Sequence, residues 1–200
     1  KVNESINSRI YNGTLIWNYS GHGGSQRLAQ EAILDLDMVR TWNNENKLPL
    51  FITATCDFAP FDNPLVSSIG EQILMGQASG AIALMTTTRL VFAFSNRVMN
   101  NNYLRFALQP GPDGRYPSLG DAVRLAKNFT YQSSGDVTNN RKFTLLGDPA
   151  LTLGFPVDKV RTTAINGIPL SSFTDTLKAL NRYTVSGEVT DRNGILIPDF

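Results

Sequence analysis

Three short apolar runs, separated by segments long enough to hold helices, constrain this chain more than any other feature. Thr14-Leu-Ile-Trp-Asn-Tyr19, Pro49-Leu-Phe-Ile-Thr-Ala54 and Ala81-Ile-Ala-Leu-Met85 read as strands. Parallel neighbours need crossovers of a dozen or more residues, whereas hairpins close in a few. The alternation therefore predicts an α/β fold, a mostly parallel sheet with flanking helices. The linking segments agree. Leu36, Met38, Val39 and Trp42 suit an amphipathic helix over about 35–44, with Asp35 near its start. Leu65, Ile69, Ile73 and Gln77 recur at helical spacing, and Gly76 and Gly80 close that helix. Ser95 is placed to cap a helix to about Leu108. Ser118 with Asp121 forms a capping box for a helix through about Phe129.

The character changes after Leu146-Gly147-Asp148-Pro149. Alternating runs such as Tyr183-Thr-Val-Ser-Gly-Glu-Val189, and a turn at Asp191-Arg-Asn-Gly194, predict the start of an all-β, Ig-like module. The expected division is an α/β domain over 1–155, then a linker and β-sandwich beginning over 156–200. With no Met start and no signal-peptide pattern, the chain reads as a segment of a longer protein.

Charge narrows the partners. Eighteen basic and 17 acidic residues leave a net charge of +1, scattered without a stripe, so nucleic acid is not expected as a partner. No run approaches the roughly 18 apolar residues of a membrane-spanning helix. One Cys and one His exclude an internal disulfide and the usual four-ligand zinc site, and no metal or cofactor is expected. The glycine loop Ser20-Gly21-His22-Gly23-Gly24-Ser25 fails as a phosphate cradle. Position 26 is Gln where the dinucleotide fingerprint needs Gly, and no Gly-Lys-Ser/Thr follows. A serine-esterase reading of His22-Gly23-Gly24 fails too, for want of a Gly-x-Ser-x-Gly elbow and a second His.

The single Cys and the single His carry the chemistry. A lone Cys is commonly a small buried hydrophobe, and a lone His commonly structural. Their joint placement argues otherwise. His22 and Cys56 each follow an apolar strand and enter a loop rich in Gly or Pro, about one strand–helix–strand unit apart. In open α/β sheets, sites form beyond the carboxyl ends of strands. A thiol attacks as thiolate, and a nearby imidazole can take its proton and return it to a leaving amine. The oxyanion then needs backbone donors, for which the N–H groups of Gly23 and Cys56 are placed.

The runs Leu15-Ile-Trp-Asn-Tyr-Ser-Gly-His22-Gly23 and Leu50-Phe-Ile-Thr-Ala-Thr-Cys56-Asp57 resemble the gingipain-type cysteine peptidases, which have a caspase-like fold. Ser68-Ile-Gly70-Glu71 resembles that family's Gly-Glu on the helix after the Cys loop. Phe143-Thr-Leu-Leu-Gly147-Asp148-Pro149-Ala150 resembles the motif closing its catalytic domain. Ala54-Thr-Cys56-Asp57-Phe58 and Leu145-Leu-Gly147-Asp148-Pro149 are similar to runs in the family's sortases of the type IX secretion system.

The resemblance covers residues 5–156 and implies a Cys56 nucleophile, a His22 acid–base and a Gly23 oxyanion donor. It further implies a side-chain pocket lined by Thr86, Thr87 and Thr88. It implies cleavage of a C-terminal secretion signal from cargo proteins through a thioester, followed by attack of water or of an amine on a surface anchor. The implied setting is the cell surface and outer membrane, among other secretion-system proteins. Strands that this family places before the His strand fall outside the chain, so the caspase-like sheet is expected to be incomplete on its N-terminal side and no third triad member is named. Glu71 and Asp148 read as helix-surface or capping groups. The rival reading is a peptidase-fold scaffold module without catalysis.

Overall fold

The structure is a computed structural model and describes residues 1–198 of the 200. The chain divides into two compact units, Lys1–Leu153 and Gly154–Phe200.

The first unit is built on a four-stranded sheet. Its strands are β1 (Ile16–Ser20), β4 (Leu50–Ala54), β5 (Ala83–Thr87) and β6 (Phe143–Leu146), adjacent in that order. The first three run parallel and β6 runs antiparallel to β5. All five residues of β4 and of β5 are buried. Central parallel strands covered on both faces carry such continuous apolar runs. The strand over 14–19 is expected to be buried too, but β1 is at the sheet edge and Asn18 is exposed. β6 lies inside the Phe143–Ala150 motif, where the apolar runs of the sequence predict no strand.

Pleating assigns the faces. Phe51 of β4 stacks on Trp17 of β1 at 4.6 Å between ring centroids and meets Trp42 at 5.8 Å. Around them gather Ile10 of α1 (Val2–Asn12), Val39 of α2 (Leu36–Arg40), and Ile69 and Ile73 of α3 (Ile69–Met75). Phe51 is wholly buried, which alone contributes ~1.5–3 kcal/mol. The opposite face carries α4 (Ala93–Ala107), whose Asn100 accepts from Asn18 Nδ2 at 2.7 Å. α5 (Leu119–Ser134) packs on α4, and α6 (Thr138–Lys142) leads into β6.

Several helix limits differ from expectation. α2 is short, capped by Asp35 accepting from Met38 N, because Thr41 and Trp42 already turn back onto Met38 and Val39 carbonyls. Leu65 precedes α3 and is exposed; the helix begins after Ser68. α4 begins at Ala93 without a side-chain cap, so Ser95 is inside it. α5 keeps the Ser118 cap but runs to Ser134, where Gly135 stops it in the left-handed region. α1 is not among the helices the sequence predicts, and it starts without a side-chain cap.

The second unit holds an antiparallel sheet with β7 (Lys159–Ile165) between β8 (Ile168–Pro169) and β9 (Val185–Thr190). Its turn after β9 is the expected one. Gly194 N donates to Asp191 O, and the Asp191 carboxylate accepts from Asn193 N and Ile195 N.

Candidate active site

The site begins in the sheet register. β1 and β4 pair from Ile16 with Leu50 through Ser20 with Ala54, a constant offset of 34 residues. His22 and Cys56 each stand two residues beyond that last pair, so they keep the same offset. Gly21 N donates to Ala54 O at 3.3 Å, which carries the pairing one step past the strands. Adjacent strands run roughly 4.8 Å apart. The two loops therefore leave the carboxyl edge side by side. Asn18 and Ala54 lie on the sheet face where α4 packs, and the Cys56 thiol stays on that side through Val91 O, just ahead of α4.

The His22 loop is held by its backbone. The His22 carbonyl accepts from Ala29 N at 2.8 Å and Tyr19 Oη at 2.6 Å. Gly24 N donates to Arg27 O at 3.0 Å. These bonds flank an antiparallel bridge between Gly23 and Leu28, where β2 (Arg27–Leu28) pairs with β3 (Leu34–Asp35). Because the flanking residues make the bonds, Gly23's own N–H is left over. The imidazole is exposed, and no described group hydrogen-bonds to it. An open hollow of about 410 Å³ lies beside it, lined by residues 22–27 with Ala29 and Gln30.

The Cys56 loop turns sharply. Asp57 has φ 42°, a left-handed conformation that a non-glycine residue adopts at some cost. The chain then runs against the end of β5, with Asp57 N on Arg89 O and Ala59 N on Thr87 O. Cys56 is half-buried and free, and its thiol donates to Val91 O at 3.7 Å. Cys56 is not among the residues lining the hollow beside His22. Among the described residues, neither the Cys56 N–H nor the Gly23 N–H has a hydrogen-bond partner.

One motif ties the loops together. Ile69 N donates to Ser25 O at 2.7 Å and Gln26 Nε2 to Ser67 O at 2.8 Å, from the His side. Gly70 packs against Phe58 and Ala59, on the Cys side, so closely that a Cβ would stand 2.6 Å from that of Ala59. Glu71 spends its carboxylate on Ser68, at 2.9 Å to the N–H and 2.6 Å to the hydroxyl, completing a capping box. Asp148 likewise closes a local turn onto Ala150 N.

Thr86 and Thr87 are fully buried as the last residues of β5, not parts of a loop. The Thr86 hydroxyl pairs with that of Thr53 at 2.6 Å, and that of Thr87 donates to Thr55 O. Their side chains belong to the sheet interior. Thr88, half-buried, is the first of the three at the rim. Beside it, Arg89 clamps Asp62 through two bonds, one of 2.9 Å, which holds the Asp62 carboxyl below its usual range. Sequence reasoning did not single out Asp62, and no local signal points to it. Among the described residues, no three His, Cys, Asp or Glu side chains group so as to hold a metal ion.

Comparison with known proteins fits this architecture. The model of Peptidase family C25 matches residues 1–154. The chain belongs to peptidase family C25. This C25 chain is similar to the complex of RgpB pro- and mature domains from Porphyromonas gingivalis, with a TM-score of 0.67 at 19% identity. That match covers 80% of this chain and 40% of the other. It is similar also to the Arg-specific cysteine proteinase gingipain R, with a TM-score of 0.68 at 18% identity, covering 80% and 39%. These likenesses show a shared fold, the caspase-like α/β architecture of gingipains. The C25 chain spans about 40% of the gingipain chains it matches. A dimeric latent PorU from Porphyromonas gingivalis matches at 30% identity over 60% of this chain and 11% of its own, with a TM-score of only 0.31. No curated protein matches the chain.

Proposed function

We propose that this C25 chain carries the nucleophile and the acid–base of a cysteine endopeptidase. The observation that carries the reading is the register: His22 and Cys56 leave neighbouring parallel strands at matched positions. Cys56 gives its proton to His22, breaking the contact with Val91 O, and the thiolate attacks a peptide carbonyl. The oxyanion that forms is met by the N–H groups of Gly23 and Cys56, both without a hydrogen-bond partner among the described residues. The imidazolium then protonates the leaving amine, and a thioester remains on Cys56. Thr88, at the rim, contacts the substrate, whereas Thr86 and Thr87 support it from beneath.

The finer reading is a sortase. The runs Ala54–Phe58 and Leu145–Pro149 support it through their likeness to type IX secretion sortases. In this reading the thioester forms on removal of a C-terminal secretion signal from a cargo protein, and an amine of a surface anchor or water resolves it. The protein acts outside the cell, at the outer membrane, among other secretion-system proteins. None of the helices among the described residues is long and apolar enough to cross a membrane.

One observation favours the rival scaffold reading: no described group orients the His22 imidazole. Rapid acid quenching of the full-length protein with a peptide spanning the cargo junction separates the two. The enzyme accumulates a hydroxylamine-sensitive acyl adduct on Cys56, which mass spectrometry locates. A scaffold module forms none, and a Cys56→Ala variant that still cleaves excludes Cys56 as nucleophile.

A further inference from the structure

The wall beneath the two loops contains a polar group that nothing in the fold accounts for. Thr55, immediately before Cys56, is wholly buried, and its hydroxyl has no hydrogen-bond partner. An orphaned buried hydroxyl gives up its hydrogen bond to water and gains nothing in return, and such groups in native structures call for a reason. Thr53 and Thr87, the neighbouring buried threonines, both spend their hydroxyls. Thr55 is therefore the exception within one cluster.

What Thr55 touches gives the reason. A Cβ built on Gly23 would stand 2.8 Å from Thr55 Oγ1. The unspent hydroxyl thus lies against the main chain of the residue whose N–H is the second oxyanion donor. The Gly23 carbonyl is also without a donor among the described residues. Two contacting residues each hold an unused group, one a donor and one an acceptor.

Building on the proposed peptidase reading, we infer that Thr55 is a positioning residue for the oxyanion hole. Its hydroxyl donates to the Gly23 carbonyl as the oxyanion forms, fixing the Gly23–Gly24 peptide and so restricting rotation about Gly23, whose N–H in the adjoining His22–Gly23 peptide meets the oxyanion. Thr55 acts through Gly23 and does not meet the substrate, because its hydroxyl is sealed from solvent. A bond gained on the way to the transition state raises the rate of the chemical step without tightening substrate binding.

The test compares Thr55→Val, which keeps the shape and removes the hydroxyl, with Thr55→Ser, which keeps the hydroxyl and removes a methyl. Both are made in the full-length protein, and thermal unfolding verifies that each is folded. Removing a direct oxyanion donor costs about 100- to 1,000-fold, so a group acting through one should cost on the order of tenfold. Thr55→Val is expected to lower kcat about tenfold at unchanged KM. It should weaken a peptide aldehyde, whose hemithioacetal uses the same donors, by a similar factor. Alkylation by iodoacetamide, which forms no oxyanion, should not change. Thr55→Ser should stay within about twofold of the parent. A fully active Thr55→Val, or a Thr55→Ser as impaired as the valine variant, overturns the inference while leaving the peptidase reading intact. A parent protein without Cys56-dependent cleavage overturns both.

Discussion

Ser20 at the end of β1 and Ala54 at the end of β4 are register partners, and His22 and Cys56 each follow two residues later. A one-residue slip would turn either side chain to the opposite face. The pairing of the two strands brings the His22 loop and the Cys56 loop out side by side at one rim of the sheet.

Gly23 tolerates no side chain. A Cβ there would lie 2.8 Å from both Leu28 Cδ2 and Thr55 Oγ1, and 3.2 Å from Arg27 O. Gly23→Ala should destabilise the domain by about 1–3 kcal/mol, as overpacking does. Displacement of its N–H should cut peptide cleavage at least ~100-fold. Thermal unfolding and kcat, measured on one preparation, test both. A cleavage rate within a few-fold of the parent would remove Gly23 from the oxyanion hole.

Asn44 is a stability anchor. Buried, it donates to Lys47 O and Gly80 O at 3.1 and 3.0 Å, and accepts from Gly80 N at 2.8 Å. Asn44→Leu leaves those backbone groups unpaired inside the protein and should cost about 2–3 kcal/mol. Denaturant titration reads the loss, with no specific effect on kcat of the folded fraction.

The Asp62–Arg89 clamp should make the rim acid-sensitive. Arg89 lowers the folded-state pKa of Asp62. The stabilising contribution is therefore present above the unfolded value, near 3.9, and is lost as pH falls through the lower folded value. Protection factors in the segment 57–66, corrected for the intrinsic pH dependence of exchange, should fall on acidification before those of β4 and β5. Asp62→Asn should show the faster exchange already at neutral pH, with a nearly unchanged melting temperature, since exposed ion pairs contribute little. Equal protection in the parent and in Asp62→Asn at neutral pH would show that the clamp does not hold the loop.

The strands, the alternation and the two loops were legible because periodicity and glycine placement are local signals. The runs around Trp17 and Phe51 announce strands, and the spacing of Leu36, Val39 and Trp42 announces the helix between them. What stayed hidden depends on long-range pairing. Thr86 and Thr87 look like loop residues, since threonine suits strand and turn alike, and only the antiparallel pairing with β6 draws them into the strand. Glu71 reads from the sequence as a helix-surface or capping group, and the capping box with Ser68 decides for the second. That Gly70 joins the Cys loop was not legible, because contact with Ala59 follows from packing. Asp57 gave no warning of its left-handed backbone, nor Thr55 of its orphaned hydroxyl. Both are set by the crowding of two strand ends.

If His22 activates Cys56, the reactivity of the Cys56 thiol must depend on the imidazole. The full-length protein is treated with a thiol-directed peptide electrophile across a range of pH, and the rate of Cys56 modification is followed by mass spectrometry. Labelling should be rapid near neutral pH and slowed about 100-fold or more by His22→Ala, the scale of a general acid–base contribution. An unlabelled Cys56, or a labelling rate indifferent to His22→Ala, would contradict it.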